Sequence, residues 1–239
     1  MRIEAYFTPN EVDPGALTDA TLVVIDVVRS TTSIVEALAN GARGIYPAVS
    51  TEDAVKLAQS LGREDTLLCG ERKGMKVEGF DLGNSPGDFT REAVEGKRLV
   101  MSTTNGTRAF SLGHESGRVL ACAFTNLSAV AAEVTGVEDL VVLCSGRGGS
   151  FSMGDALCAG HLIGEVLAAS EEDHVLNDAA LAARALATRK PSKRFLAGTA
   201  GGRALTEIGL EADLEICADV DRHDVVAEML DQAITLAGA

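Results

Sequence analysis

Four stretches of this chain place arginine, carboxylate or both beside glycine and small hydroxyl residues, each directly after an apolar run. After "TLVVI" come Asp26, Arg29 and the hydroxyls Ser30, Thr31, Thr32 and Ser33; after "TLLCG" come Glu71 and Arg72, then the long segment "KGMKVEGFDLGNSPGDFT" with Asp81, Asn84 and Ser85. After "RLVM" come Ser102, Thr103, Thr104, Asn105, Gly106, Thr107 and Arg108, and after "DLVVLC" come Ser145, Gly146, Arg147, Gly148 and Gly149, followed by Asp155. A guanidinium binds two oxygens of an anion at once, carboxylates hold a divalent cation or move protons, and small residues leave backbone N–H groups free to face a ligand. Together these are the needs of a phosphate or sulfonate. Taken singly, "STTNGT" reads as a turn with a helix-capping hydroxyl. Recurrence at four places favours an anion site.

Each element also has a structural reading. Asp26 ends an apolar run, where its charge needs either Arg29 or a bound cation beside it. Ser33 with Glu36, and Ser152 with Asp155, have the spacing of capping boxes, so Asp155 serves either a helix terminus or the site. The connection over residues 73–90 is longer than most, as functional loops often are. His114, His161, His174 and His223 have no spacing that suggests a ligand set or a triad and read as surface or helix-face residues. No Walker A sequence and no G-x-S-x-G elbow occurs, and "GRGGSF" lacks the third glycine of a dinucleotide fingerprint. "DVVRST" has Val28 where a D-x-D phosphatase needs its second aspartate.

The elements that must position these residues follow from hydrophobic pattern. "TLVVIDVV", "TLLCG", "KRLVMS" and "DLVVLCS" are short, partly β-branched and nearly non-alternating, as strands buried on both faces are. Further strands are expected at "RIEAYF", "RGIYPAV" and "GRVLACA". Between and after them lie helical patterns at "SIVEALANGA", "STEDAVKLAQSLG", "TRAFSLG", "TNLSAVAAEV" and "MGDALCAGHLIGEVLAAS". The alternation predicts an α/β fold with a largely parallel or mixed sheet covered by helices in three layers, α/β/α, and ligands beyond the strands' carboxyl ends. From about Glu171 onward the chain reads as mostly helical, with its most turn-rich part at "TRKPSKRFLAGTAGGRAL". The 239 residues read as one domain; a division into two lobes would fall near 112–117.

Composition narrows the partners. A net charge of −14 disfavours nucleic acid and anionic membranes, which are gripped through Lys and Arg. An anionic substrate therefore needs local compensation. Five scattered cysteines with no C-x-x-C pair indicate neither a disulfide framework nor a zinc site and fit a reducing cytoplasm. The first residues do not form a signal sequence, and no run approaches the roughly 20 apolar residues of a membrane span.

Taken in order, "YFTP", "VIDVVRSTTSIVEALANGA", "CGERKGMKVEGFDLGNSP", "STTNGTRA" and "GDALCAG" resemble the 2-phosphosulfolactate phosphatase family over roughly the first two-thirds of the chain. The resemblance implies a magnesium-dependent α/β enzyme that hydrolyses 2-phospho-3-sulfolactate to 3-sulfolactate and phosphate, a step that in archaeal methanogens leads to coenzyme M. Where such proteins carry His-Gly ahead of a leucine, this chain reads "AGGRAL"; Val28 and Ser30 replace Leu and Ala. Residue chemistry and resemblance together give a catalytic set of Asp26, Glu71 and Asp155, and Mg²⁺ ligands from Asp26, Glu71 and Asp81. Substrate would be held by Arg29, Arg72, Asn84, Ser85, Thr103, Thr104, Asn105, Gly106, Arg108, Gly146 and Arg147. Direct water attack is favoured, because no Ser-His, Cys-His or D-x-D nucleophile is evident. A phosphatase for another small phosphorylated hydroxy acid and a non-catalytic anion-binding protein are the alternatives, and a homodimer is left open.

Overall fold

The structure is a computed structural model that describes every residue except Glu172 and Ala239, and every side chain except theirs and those of Pro14 and Glu115. The expected strands all form: β1 (Arg2–Tyr6), β2 (Thr21–Ile25), β3 (Gly44–Pro47), β4 (Thr66–Arg72), β6 (Arg98–Ser102), β7 (Arg118–Cys122) and β8 (Asp139–Cys144). Short strands β5 (Met75–Lys76) and β9 (Val175–Leu176) extend the edges, and a hairpin of β10 (Ala227–Leu230) and β11 (Ala233–Leu236) lies inside the sheet. This hairpin corrects the expectation of a mostly helical C-terminal third. Its first strand is built from Ala, Glu, Met and Leu, good helix formers, and its turn residues Asp231 and Gln232 both have positive φ without a glycine to announce it.

The helices are α1 (Ser30–Ala39), α2 (Thr51–Leu61), α3 (Arg91–Val94), α4 (Gly106–Ser111), α5 (Leu127–Val134), α6 (Met153–Ala168), α7 (Asp178–Leu186), α8 (Lys193–Ala197), α9 (Ala200–Glu207) and α10 (Asp213–Cys217). The sheet order is β5-β4-β6-β3-β11-β10-β7-β2-β8-β1-β9. Two parallel groups, β4-β6-β3 and β7-β2-β8-β1-β9, are joined through antiparallel pairs at β3–β11, β11–β10 and β10–β7. Three reversals make the groups run in opposite directions. A flat sheet would put their carboxyl ends on opposite edges.

Twist and burial bring those ends together instead. Five strand-to-strand steps separate β6 from β2, and at 20–25° each they accumulate about 100–125°. The β11–β3 junction is a single register pair, Ile234 with Ile45, which gives the sheet a narrow place to fold. One core draws on both groups: Leu22 and Val24 of β2, Val119 of β7, Ile45 of β3 and Leu99 and Met101 of β6 pack with Ile34 and Leu38 of α1 and Phe110 of α4. The sheet thus wraps around α1 and α4. On the outer face of the second group, Val23 and Ile25 meet the apolar sides of α5, α6 and α7, and α2 covers β4 and β6. Each full burial of a Val, Leu or Ile in these layers contributes about 1.5–3 kcal/mol.

All five cysteines are free and buried, as a reducing compartment allows. Among the described residues no helix is long and apolar enough to cross a membrane.

Candidate active site

The folded sheet brings the ends of β2, β4, β6 and β8 to one cavity of about 370 Å³. Its lining includes Asp26, Arg29, Glu71, Asn84, Thr103, Thr104, Asn105, Gly146 and Arg147, which the sequence pointed to. Asp26 follows the last residue of β2 and is 5% exposed. Backbone N–H groups of Ser30 and Gly106 support its carboxylate, yet burial, and then the nearby charge of Glu71, push it up to about 7. Gly106 sits so close that a Cβ there would stand 2.3 Å from Ser30 Oγ and 3.1 Å from Asp26 Oδ2. It shapes the site from behind.

Glu71, at the end of β4, accepts the N–H of Thr104 on Oε1 and of Gly74 on Oε2, both at 2.7 Å. This ties the two strand-end loops of the first group to each other. Asp155 lies in the first turn of α6, where Ser152 Oγ accepts its N–H at 3.4 Å. Its carboxylate does not close a capping box: Oδ1 accepts the N–H of Val27 at 2.9 Å, and Oδ2 has no hydrogen-bond partner among the described residues. Burial, then the charge of Asp26, hold the Asp155 carboxyl well above the ordinary range. Asp155 buttresses Asp26 from outside the cavity. The other expected capping box is absent too, because Ser33 Oγ donates to Asn84 O and Glu36 binds Arg222 and His223.

Arg29 is not the partner of Asp26 in hydrogen bonding. Its Nη1 donates to Asp213 Oδ2 at 2.7 Å and to Ser85 Oγ at 3.1 Å, and its Nη2 to Gly74 O at 2.6 Å. Asp213, at the start of α10, had no signal in the sequence. Four further expectations change. Asp81 accepts the Leu68 N–H and pairs with Arg63, away from the cavity where a metal ligand was expected. Arg72 donates to Ser102 and to the Glu71 carbonyl and braces β4 on β6 instead of lining the cavity. Arg108 is exposed and donates to Asn10 Oδ1, and Ser85 is engaged with Arg29 and Asp213. None of the four histidines lines the cavity.

Sequence reasoning missed one wall entirely. Thr199, Gly201, Ala204, Leu205 and Ile208 of the α9 region line the cavity, so "AGGRAL" belongs to the site although it carries no histidine. Lys73 and Ser152 line it as well. The family model described as 2-phosphosulpholactate phosphatase matches residues 6–232. The chain belongs to that family. Relatives called "Probable 2-phosphosulfolactate phosphatase" include those of Clostridium perfringens (strain 13 / Type A), 38% identical over 95% of this chain and 93% of the relative, and of Clostridium novyi (strain NT), 35% identical over 95% and 97%. That of Thermotoga petrophila is 36% identical over 90% of this chain and 92% of the relative.

The donor set suits a hard cation. Asp26 and Glu71 supply buried carboxylate oxygens, and the one buried guanidinium nearby is already bonded to Asp213. Among the described residues no group of three or more His, Cys, Asp or Glu is gathered to hold a metal. Magnesium asks for less, because it takes one or two carboxylates and completes its shell with water and phosphate oxygens.

Proposed function

We propose that this chain is a Mg²⁺-dependent phosphatase that hydrolyses 2-phospho-3-sulfolactate to 3-sulfolactate and phosphate. The observation that carries the reading is the meeting of Asp26 and Glu71, from strands of opposite direction, in one cavity beside Arg147. Family membership and the names of the relatives support the same substrate.

In this reading Asp26 and Glu71 hold the cation. A magnesium ion held there would supply Lewis-acid polarisation of the phosphoryl group and a water of lowered pKa. The backbone N–H bonds to Glu71 and the Asp155 bond to Val27 fix both carboxylates in place before substrate arrives. Arg147 offsets phosphoryl charge, and Asn84, Thr103, Thr104 and Asn105 supply short polar contacts around it. Water adds to phosphorus opposite the ester oxygen, the P–O ester bond breaks, and that oxygen leaves as the sulfolactate hydroxyl after gaining a proton. The buried cysteines and the lack of a membrane-spanning helix among the described residues support a cytoplasmic setting.

Phosphate release tests this directly. With 2-phospho-3-sulfolactate it should require added Mg²⁺ and stop in excess chelator, and exceed release from phospholactate and phosphoglycolate. Full activity in chelator would remove the metal, and a preference for another ester in the panel would replace the substrate.

A further inference from the structure

Three cationic side chains line the cavity, Arg29, Lys73 and Arg147, and Arg29 is buried and bonded through both Nη atoms to Asp213, Ser85 and the Gly74 carbonyl. Lys73 makes no side-chain hydrogen bond or ion pair among the described residues and is exposed, whereas Asp26 and Glu71 are buried. Its position is unusual for a lysine. Arg72 pairs with Met75, so Lys73 and Gly74 form a two-residue hairpin turn between β4 and β5, with φ of +53° and +84°. Turns of this kind strongly favour Asn-Gly or Asp-Gly, because a Cβ crowds the backbone at positive φ and only short polar side chains offset this by bonding locally to it. A strained residue held at a site invites a functional explanation.

The turn is also fastened. Gly74 donates its N–H to Glu71 Oε2 at 2.7 Å and accepts from Arg29 Nη2 at 2.6 Å, and a Cβ on Gly74 would stand 2.7 Å from Ile208 Cδ1. One carboxylate of the proposed metal pair therefore sets the place of Lys73. We propose that Lys73 binds the acid group of the substrate that is not transferred, the sulfonate or the carboxylate, and so selects phosphate esters that carry a second acid. The buried carboxylates take the reacting phosphoryl end, and the exposed lysine meets the other end of the ligand. In a chain of net charge −14, a local ammonium at this rim is what a multiply charged anion needs.

The inference rests on the phosphatase reading, and the experiment separates the two. Wild type, Lys73→Asn and Lys73→Arg would be melted, assayed on 2-phospho-3-sulfolactate, and titrated calorimetrically with 3-sulfolactate and with inorganic phosphate. Asparagine suits the turn better than lysine, so Lys73→Asn should melt at or above wild type. Its KM should nevertheless rise about tenfold, at the low end for a charge-assisted hydrogen bond, with kcat nearly unchanged. Sulfolactate binding should weaken in parallel and phosphate binding should not, and Lys73→Arg should restore most of the loss. Inhibition by 2-phospholactate and by the phosphate ester of 2-hydroxyethanesulfonate identifies the group: the ester lacking what Lys73 reads is insensitive to the variant. An unchanged KM would reduce Lys73 to a solvated turn residue, and a loss confined to kcat or shared by inorganic phosphate would place it on the phosphoryl group; either overturns the proposal. Failure of wild type to hydrolyse the ester or bind sulfolactate would instead sink the phosphatase reading, and this inference with it.

Discussion

At the scale of single residues, the charge of Asp26 is costly to hold. Its folded pKa of about 7 lies above the unfolded value, so between about pH 4 and 7 the folded state keeps a proton that the unfolded state releases. The Asp26 contribution to stability without metal therefore falls as pH rises through this window and levels off above it. Asp26→Asn removes that contribution without stranding a cation, because Arg29 keeps Asp213. The variant should melt higher than wild type at pH 8 in chelator, with the difference shrinking toward pH 5, while phosphatase activity collapses. A lower melting point together with wild-type turnover would return Asp26 to a structural role. The arginines separate in the same way. Arg147→Ala should raise KM about tenfold as a lost charged contact to substrate, and Arg108→Ala, whose guanidinium bonds Asn10 outside the cavity, should leave KM and kcat near wild type.

At the scale of elements, α10 acts at a distance through one ion pair. Asp213 at its start holds Arg29, whose side chain is 3% exposed, and Arg29 in turn holds the Gly74 carbonyl. Asp213→Ala leaves that guanidinium buried without its counter-charge and should cost about 3–5 kcal/mol in denaturant unfolding. Replacing a surface carboxylate such as Glu215, 75% exposed in its pair with Lys193, should cost under about 1 kcal/mol. The comparison shows whether the C-terminal helices are bound to the site or only rest on it. Residues of α9 reach the cavity directly, so a loosened α10 should also raise KM.

At the scale of the whole molecule, the β10–β11 hairpin joins two parallel groups that would otherwise be separate sheets. Ile234, fully buried and the register partner of Ile45, is the narrowest point of that join. Ile234→Ala should cost about 2–5 kcal/mol as a large-to-small core change. Because the hairpin holds the groups together, the loss should fall on both at once, read as earlier hydrogen exchange in β6 and β7 alike. Exchange that quickens only in β10 and β11 would mean that the core shared with α1 and α4 carries the join without them.

Local pattern was enough for seven strands, because short β-branched runs buried on both faces leave few other conformations open, and enough for the α/β class. It also placed Asp26, Glu71, Thr103 and Arg147 at strand ends and Asn84 in the long segment after β4, where the cavity lies. Which arginines face a ligand was another matter. Arg29, Arg72 and Arg108 look alike in sequence, and only the fold supplied Asp213, Ser102 and Asn10 as their partners. The reversal of the two strand groups, the hairpin between them and the α9 wall were likewise beyond local pattern. Residues some 130 positions apart, such as Val27 and Asp155, meet only once the sheet has twisted. Pairing across such distances is fixed by packing and charge in three dimensions, whereas strand and helix periodicity is fixed by the chain's own geometry.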